Sequence, residues 1–91
     1  MNRVIYKHVI GFGSNVLYVS PCWKPLTVQL QLDSMTLWYE TDIDAEIVDK
    51  TVAVYGTGQS LSDFSLVNQI YVDTIQIGTM VWHIYAEKGN V

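Results

Sequence analysis

The residues that could do chemistry are few and far apart in the sequence. The chain has two histidines, His8 and His83, and one cysteine, Cys22. Nucleophilic catalysis needs a nucleophile, a base and a group that orients the base, and no motif in the chain ties such a set together. One cysteine and two distant histidines do not supply the ligands of a zinc site. We therefore expect no enzymatic activity, no cofactor and no metal site.

A run of acidic residues is the next candidate for chemistry, because carboxylates bind cations. It consists of Asp42, Asp44, Glu46 and Asp49. The spacing does not fit a calcium loop, since the sixth position is Ile47 instead of glycine and the twelfth is Ala53 instead of glutamate. The sequence predicts a solvated acidic connection with room for one helical turn.

The segment Gly56-Thr-Gly58, followed by Gln59-Ser60, resembles a loop that holds an anion. It lacks the Lys-Ser/Thr ending of a phosphate-binding loop, and no helical pattern follows it. Two interpretations stay open. Either the segment is a turn with positive φ at one glycine, or its backbone amides approach a ligand phosphate.

Binding without catalysis has more candidates than catalysis has. They are aromatic, amide or imidazole side chains on predicted outward faces or in a loop: Trp38, Gln29, Gln31, Trp23, His83 and Tyr85. Alternation places Trp38 on the polar face of its strand, where a tryptophan can anchor a partner. His83 could contact a ligand or carry a proton near neutral pH, or it could simply bond to Thr74, its predicted cross-strand neighbour.

The elements that must position these residues begin with two strand-like runs between Ile70 and Glu87. Gly78-Thr79 predicts a two-residue type II′ turn, which pairs residues whose numbers sum to 157. The core face would then carry Tyr71, Ile75, Ile77, Met80, Trp82, Ile84 and Ala86, interrupted by Asp73. The opposite face would carry Val72, Thr74, Gln76, Val81, His83 and Tyr85.

A second hairpin is predicted from Leu26 to Thr41, with Asp33-Ser34 at its tip and partners that sum to 67. One face holds the apolar residues Leu26, Val28, Leu30, Leu32, Met35, Leu37 and Tyr39. We expect Leu30, Leu37, Ile75, Trp82 and Ile84 to be buried.

Further strands are predicted at residues 3–10, 16–20 and 50–55, and no segment keeps a helical apolar period. The 91 residues therefore predict one all-β domain, 1–91, folded as a small antiparallel β-sandwich or partly open barrel of six to seven strands. In the loop 59–69, Leu61, Phe64, Leu66 and Val67 should pack onto the core.

The high hydrophobic content of the chain predicts self-association. Hydrophobic residues make up 49% of the chain and charged residues 15%, so a domain this small should expose part of its apolar material. This predicts a homo-oligomer, in the simplest case a two-fold dimer that buries part of the Val72, Val81 and Tyr85 face.

Charge and cysteine usage give further expectations. The net charge is −4, and the five basic residues are dispersed in the sequence with no basic patch, which disfavours direct nucleic-acid binding. One lone cysteine fits a reducing compartment. We expect no signal peptide, and no apolar run reaches the roughly 18 residues of a membrane span.

The chain resembles a family of short, uncharacterised β-rich proteins encoded by tailed bacteriophages and prophages. The resemblance runs from about residue 5 to residue 86, through Tyr6-Lys7, Thr27-Val-Gln-Leu-Gln31, Leu37-Trp38, Val54-Tyr-Gly-Thr-Gly58, Tyr71-Val-Asp-Thr-Ile-Gln-Ile-Gly78 and Val81-Trp-His-Ile-Tyr85. The closing segment is the most specific part. The resemblance implies phage origin and a β-rich fold, and it transfers no catalytic residue.

The resemblance and the residues together suggest a function. The leading hypothesis is a non-enzymatic binding or inhibitor protein that acts in the host cytoplasm on a host protein, such as a component of host defence. Two alternatives stay open: an oligomeric protein that sequesters a small nucleotide, and a minor virion or assembly component.

Overall fold

The computed structural model describes residues 2–61 and 68–90, and within these ranges all regular structure is β-strand. The strands are β1 (Arg3–Val9), β2 (Gly13–Val19), β3 (Lys24–Gln31), β4 (Ser34–Asp42), β5 (Val48–Gly56), β6 (Gln69–Ile77) and β7 (Met80–Glu87). No helix of the length and hydropathy needed to cross a bilayer occurs in these ranges. The predicted all-β fold is confirmed.

The seven strands form two antiparallel sheets. One has three strands in the order β1-β4-β3, and the other has four in the order β2-β5-β7-β6. The edge strands β3 and β6 lie side by side, and the two sheets do not close into a barrel. The molecule is only 16 Å thick along its shortest axis, a dimension close to that of two stacked sheets. Of the two predicted architectures, the sandwich is the better description.

The core lies between the sheets and draws residues from both. Its buried members are Ile10, Leu17, Val19, Trp23, Val28, Met35, Leu37, Tyr39, Val52, Val54, Ile84 and Ala86. Leu37 and Ile84 are fully buried, as expected. Ile75 and Trp82 are only partly buried and pack against this cluster, and the Trp82 ring lies 4.3 Å from the ring of Phe12.

The β3–β4 hairpin differs from the prediction at its tip. The turn residues are Leu32 and Asp33, with φ of 50° and 65°, and Gln31 pairs with Ser34, so the partners sum to 65. Two residues with positive φ are typical of a type I′ turn, whose twist matches that of the flanking strands. The predicted tip at Asp33-Ser34 was therefore wrong by one residue, although Val28 and Leu37 still share the core face.

The apolar face of this hairpin is not buried along its whole length. Val28 is 1% exposed, but Leu30, two residues nearer the tip, is 45% exposed, and Leu32 in the turn is 95% exposed. Leu30 lies near the turn end of an edge strand, and the expectation that it is buried was wrong. Leu26 is also exposed, at a point where the register shifts between Pro25 and Thr27.

The β6–β7 hairpin has the predicted turn. Gly78 has φ of 62° and Ile77 pairs with Met80, and partners sum to 157 as far as Asp73 and Ile84. Beyond Asp73 the register shifts at a β-bulge, and Tyr71 pairs with Tyr85. A bulge adds one residue to one strand, so it reverses the faces of the residues beyond it.

Because of the bulge, two residues of β6 lie on the face opposite to the one predicted. Tyr71, expected in the core, is 56% exposed and lies beside Tyr85 on the outer face. Val72, expected on the outer face, packs against the core.

Asp73 joins the two sheets at the point where the predicted apolar face was interrupted. Its Oδ2 accepts hydrogen bonds from Thr27 Oγ1 at 2.7 Å and from Val28 N at 3.0 Å, and its Oδ1 accepts one from Thr74 N at 2.9 Å. Burial alone would raise the pKa of Asp73, but these hydrogen bonds outweigh it and the pKa is lowered. The carboxylate satisfies an edge amide of β3 that would otherwise be unpaired.

A second set of hydrogen bonds between the two sheets lies where β2 and β4 end. Ser20 N donates to Thr41 Oγ1 at 2.9 Å, and Asp42 N donates to Ser20 Oγ at 3.0 Å. Ser20 and Thr41 are both buried, so their hydroxyls replace water in satisfying these groups. The two joins hold the sheets in one arrangement.

Three predicted boundaries need correction. β2 begins at Gly13, β5 begins at Val48, and the acidic connection 43–47 consists of turns without a helical turn. Leu61 is partly buried; Phe64, Leu66 and Val67, which were expected to pack onto the core, lie outside the described residues.

Candidate functional site

The outer face of the three-stranded sheet carries three of the six predicted binding residues. We call it the Trp38 face, and it comprises Ile5, Lys7 and Val9 of β1, Thr27, Gln29 and Gln31 of β3, and Ser34, Thr36, Trp38 and Glu40 of β4. Trp38 occupies the central strand, between Lys7 and Thr27 in the register, and points away from the core formed by Leu37 and Tyr39. Its placement on the outward face agrees with the alternation of the sequence.

Two polar bridges cross this face on either side of Trp38. Lys7 Nζ donates to Gln31 Oε1 at 2.8 Å, and Arg3 Nε lies 3.3 Å from Glu40 Oε1. The first bridge passes from β1 to β3 over the central strand at Thr36. This accounts for the burial of Thr36, which is 1% exposed although it points away from the core.

The space beside Trp38 is apolar. Ile5 and Val9 lie diagonally across from Trp38 in the register and are each 61% exposed. The Trp38 side chain is partly exposed, and its indole N–H has no acceptor among residues 2–61 and 68–90. A partly exposed aromatic ring with exposed aliphatic side chains at its diagonal positions and polar side chains around them has the composition of a protein-contact surface.

Sequence reasoning missed Ile5, Lys7 and Val9 as part of this surface. The signal was present in β1, where apolar residues occupy adjacent positions in Val4-Ile5-Tyr6 and again in Val9-Ile10. A strand that is apolar on both faces cannot bury both in a sandwich unless something outside the sheet covers the second face. From this pattern the sequence analysis predicts a strand and no contact surface.

His83 and Tyr85 lie elsewhere, on the outer face of the four-stranded sheet. His83 Nδ1 is 3.1 Å from Thr74 Oγ1, as the predicted pairing implied, and His83 Nε2 is 2.9 Å from Thr57 Oγ1. Tyr71 extends the chain of hydroxyls, with its OH 2.7 Å from Thr74 Oγ1. Both imidazole nitrogens are therefore engaged by hydroxyl groups, and this arrangement fixes the ring.

Tyr85 is the centre of an aromatic cluster on the same face. Its ring lies 6.0 Å from that of Tyr55 and 5.7 Å from that of Tyr71, both at 71°. Edge-to-face pairs of this kind stabilise by about 0.5–1.5 kcal/mol each beyond their area burial. Tyr85 is thus held in place by its neighbours, and its partly exposed ring leaves less apolar area for a partner than the Trp38 face does.

A small groove of about 190 Å³ separates these residues from the turn after β5; it is lined by Tyr55, Gly56, Thr57, Gly58, Gln59, Leu61, His83 and Tyr85. Gly58 has φ of 88°, so one glycine does adopt the predicted positive φ. Gly56 N donates to Gln59 Oε1, and Gln59 N donates to Gly56 O. The backbone amides of Gly56 and Gln59 are therefore used within the turn.

Trp23 does not lie on either outer face. It is 2% exposed, its ring packs 5.8 Å from that of Tyr39, and Nε1 donates to Glu87 O at 3.1 Å. Its ring is core, so it does not offer the exposed contact that its proline-framed position suggested. The structure thus brings Trp38, Gln29 and Gln31 together, places His83 with Tyr85, and leaves Trp23 apart from both groups.

The acidic connection is organised by backbone hydrogen bonds. Asp42 Oδ1 accepts from Asn2 N at 3.2 Å and from Asp44 N at 3.0 Å, and these bonds lower the pKa of Asp42. In the part of the chain that the structure describes, no three His, Cys, Asp or Glu side chains are placed to hold a metal ion.

Comparison with known proteins gives one match. No curated protein and no solved structure matches the chain. The model of a family described as a domain of unknown function (DUF7352) matches residues 1–91, which is the entire sequence. The two-sheet fold and the Trp38 face described above therefore belong to a member of the DUF7352 family.

Proposed function

We propose that this chain is a non-enzymatic binding protein that acts by occupying a host protein through the Trp38 face. The observation that carries the proposal is the partly exposed Trp38 side chain, whose indole N–H has no acceptor in the described part of the chain. Ile5 and Val9, each 61% exposed, occupy the two diagonal positions beside it on β1. Energetic hot spots at protein interfaces are enriched in tryptophan and lie inside a rim of polar contacts. The Lys7–Gln31 and Arg3–Glu40 bridges supply such a rim.

The energetics favour Trp38 over the other tryptophans. Trp23 is 2% exposed, and the partly buried Trp82 already packs against the core and against the ring of Phe12. Apolar area removed from water is worth about 25 cal/mol per Å², and the Trp38 face has such area in reserve. A partner that covers Ile5, Val9 and the exposed part of Trp38 would recover it.

The biological setting in the proposal rests on the sequence resemblance to phage-encoded proteins. We propose that the chain is made by a phage, works in the host cytoplasm and inhibits a host component, with host defence as the first class to test. The support is the resemblance together with a contact surface suited to a protein.

The test is quantitative capture from a lysate of infected bacteria with three matched baits: the native chain, Trp38→Ala and Tyr18→Ala. Tyr18 is an aromatic control that is more exposed than Trp38, at 72%, and lies on the outer face of the other sheet. We expect the native and Tyr18→Ala baits to recover the same host protein and Trp38→Ala to recover at least about tenfold less, since a hot spot contributes ~2 kcal/mol or more. Equal recovery by all three baits would place the contact elsewhere.

The same experiment separates the other two hypotheses. A nucleotide that stays bound to the native chain in non-denaturing mass spectrometry would favour the sequestering protein. Recovery of the chain with purified phage particles would favour the virion component. Either result, in the absence of a captured host protein, contradicts the proposed function.

A further inference from the structure

A second concave feature lies away from the Trp38 face, at the end of the molecule where β1 and β3 begin. It is a cleft of about 600 Å³ lined by Arg3, Cys22, Trp23, Lys24, Pro25, Ile70, Lys88, Gly89 and Asn90. This volume falls within the range of about 300–1,000 Å³ that is usual for small-molecule sites. The groove at His83 is about a third of this size.

The floor and one wall of the cleft are fixed by close packing. The segment after β7 lies directly on the backbone at Trp23, where Asn90 N donates to Pro21 O at 2.7 Å. A Cβ added to Gly89 would lie 2.3 Å from Trp23 O, so only glycine allows this approach. Trp23, Pro25 and Ile70 supply an apolar lining. A cleft built in this way is largely formed before any ligand arrives.

The rim of the cleft is cationic. Arg3, Lys24 and Lys88 line it, so three of the five basic residues of a chain with net charge −4 meet at one place. The sequence-based expectation that the basic residues form no patch is therefore wrong, because residues 3, 24 and 88 are distant only along the chain. No carboxylate of residues 2–61 or 68–90 lines the cleft, and Glu40 forms an ion pair with Arg3.

These cations differ in how far they are already satisfied. Arg3 is held by Glu40 and by Cys22, whose carbonyl oxygen accepts from Arg3 Nη1 at 3.2 Å. The ammonium groups of Lys24 and Lys88 have no hydrogen-bond or ion-pair partner among residues 2–61 and 68–90. Two free ammonium groups beside an apolar floor provide charge for an acidic group and a hydrophobic surface for the body attached to it.

We propose that this cleft binds a small amphiphilic organic anion, with its carboxylate between the Lys24 and Lys88 ammonium groups and its hydrocarbon body against Pro25 and Ile70. The lining offers few neutral hydrogen-bonding side chains besides Asn90 and Cys22, so it suits a hydrocarbon body better than a nucleobase and sugar. The described lining of the cleft shares no residue with the Trp38 face, although Arg3 in the cleft forms an ion pair with Glu40 of that face, and the proposal goes beyond the proposed function.

Isothermal titration with a charge series on one hydrocarbon tests the proposal on the intact native chain. The ligands are octanoate, octan-1-ol and octylammonium. We expect octanoate to bind saturably with 1:1 stoichiometry and at least tenfold more tightly than octan-1-ol. Added salt should weaken the binding of octanoate. Octan-1-ol or octylammonium that binds as tightly as octanoate would overturn it, and so would an octanoate titration without saturable heat.

Variants locate the site. Lys24→Gln with Lys88→Gln should weaken octanoate binding at least tenfold. Lys24→Gln alone should weaken it more than Lys7→Gln, a variant of the same net charge outside the cleft, which should change it less than twofold. A double lysine variant that binds octanoate like the native chain places the anion elsewhere and contradicts the proposal. If that variant does not fold, the test is to add octanoate to the native chain and follow its NMR chemical shifts. Changes at Trp23 and Ile70 would support binding in the cleft, and changes confined to other residues would overturn the proposal.

Discussion

At the scale of the residue, position along a strand matters as much as the face on which a side chain lies. Leu30 and Leu37 share one face of the β3–β4 hairpin, yet Leu30 is 45% exposed and Leu37 is fully buried. Alternation identifies faces, because side chains on a strand point to opposite sides in turn. Alternation carries no information about how far the opposing sheet extends, and for this reason the prediction that Leu30 is buried was wrong.

This pair of leucines gives a stability prediction. Leu37→Ala should lower the free energy of unfolding by roughly 2–5 kcal/mol, because it leaves a cavity in the core. Leu30→Ala should cost about 1 kcal/mol or less, because much of its side chain is already in water. Chemical denaturation of the two variants measures the difference. Equal losses would contradict the burial described for this hairpin.

At the scale of the element, each of the two well-patterned hairpins contains a register shift that the sequence pattern did not reveal. The turn at Gly78-Thr79 and the pairing down to Asp73 followed from period-two alternation and a glycine. The bulge beyond Asp73 could not be predicted in this way, because alternation within a strand does not show where an extra residue is inserted. Asp73 looked like an interruption of an apolar face, and its role became clear only when Thr27 and Val28 were seen to bond to it.

The join at Asp73 makes stability depend on pH. The pKa of Asp73 is lowered in the folded protein, while that of an unfolded aspartate is about 3.9. The contribution of the carboxylate is therefore complete above the unfolded value and is lost as the pH falls through the lower, folded value. Asp73→Asn should lower the free energy of unfolding by about 1–3 kcal/mol at neutral pH, because its amide donors would face the Thr74 amide. Between about pH 5 and pH 3 this variant should lose less stability than the native chain does.

Denaturation of the native chain, Asp73→Asn and Asp33→Asn across this pH range is the measurement. Asp33 is exposed in the β3–β4 turn with φ of 65°, a conformation that asparagine also adopts, so it is a matched control. An Asp73→Asn variant with the same acid dependence as the control would show that the carboxylate does not join the sheets.

At the scale of the whole molecule, the composition and the structure agree on surplus apolar surface. The exposed large apolar side chains include Ile5, Tyr6, Val9, Phe12, Val16, Tyr18, Leu26, Leu30, Leu32, Ile43, Ile47, Ile70, Tyr71 and Met80. A high hydrophobic fraction in a short chain was enough to predict exposure. The location of the exposed apolar surface depends on which strands form edges of the sheets. The cationic cleft likewise could not be predicted, because residues 3, 24 and 88 come together only in the fold.

Self-association remains a prediction of this surplus. We expect a two-fold dimer that buries part of the Val81 and Tyr85 face, without Val72, which packs against the core. Sedimentation velocity between low and high micromolar concentration should show a shift from monomer to dimer. A single monomeric species at high micromolar concentration would contradict this prediction.

The central claim, that the Trp38 face is the contact surface, is tested most directly by amide hydrogen exchange of the chain with and without its captured host protein. β1 is an edge strand of its sheet, so its outward-facing amides should exchange readily in the free chain. The account predicts slower exchange in peptides that cover β1 and the Trp38 region of β4, with little change in β2 and β5. Protection confined to β2, β5 or the His83 groove, with β1 unchanged, would contradict it.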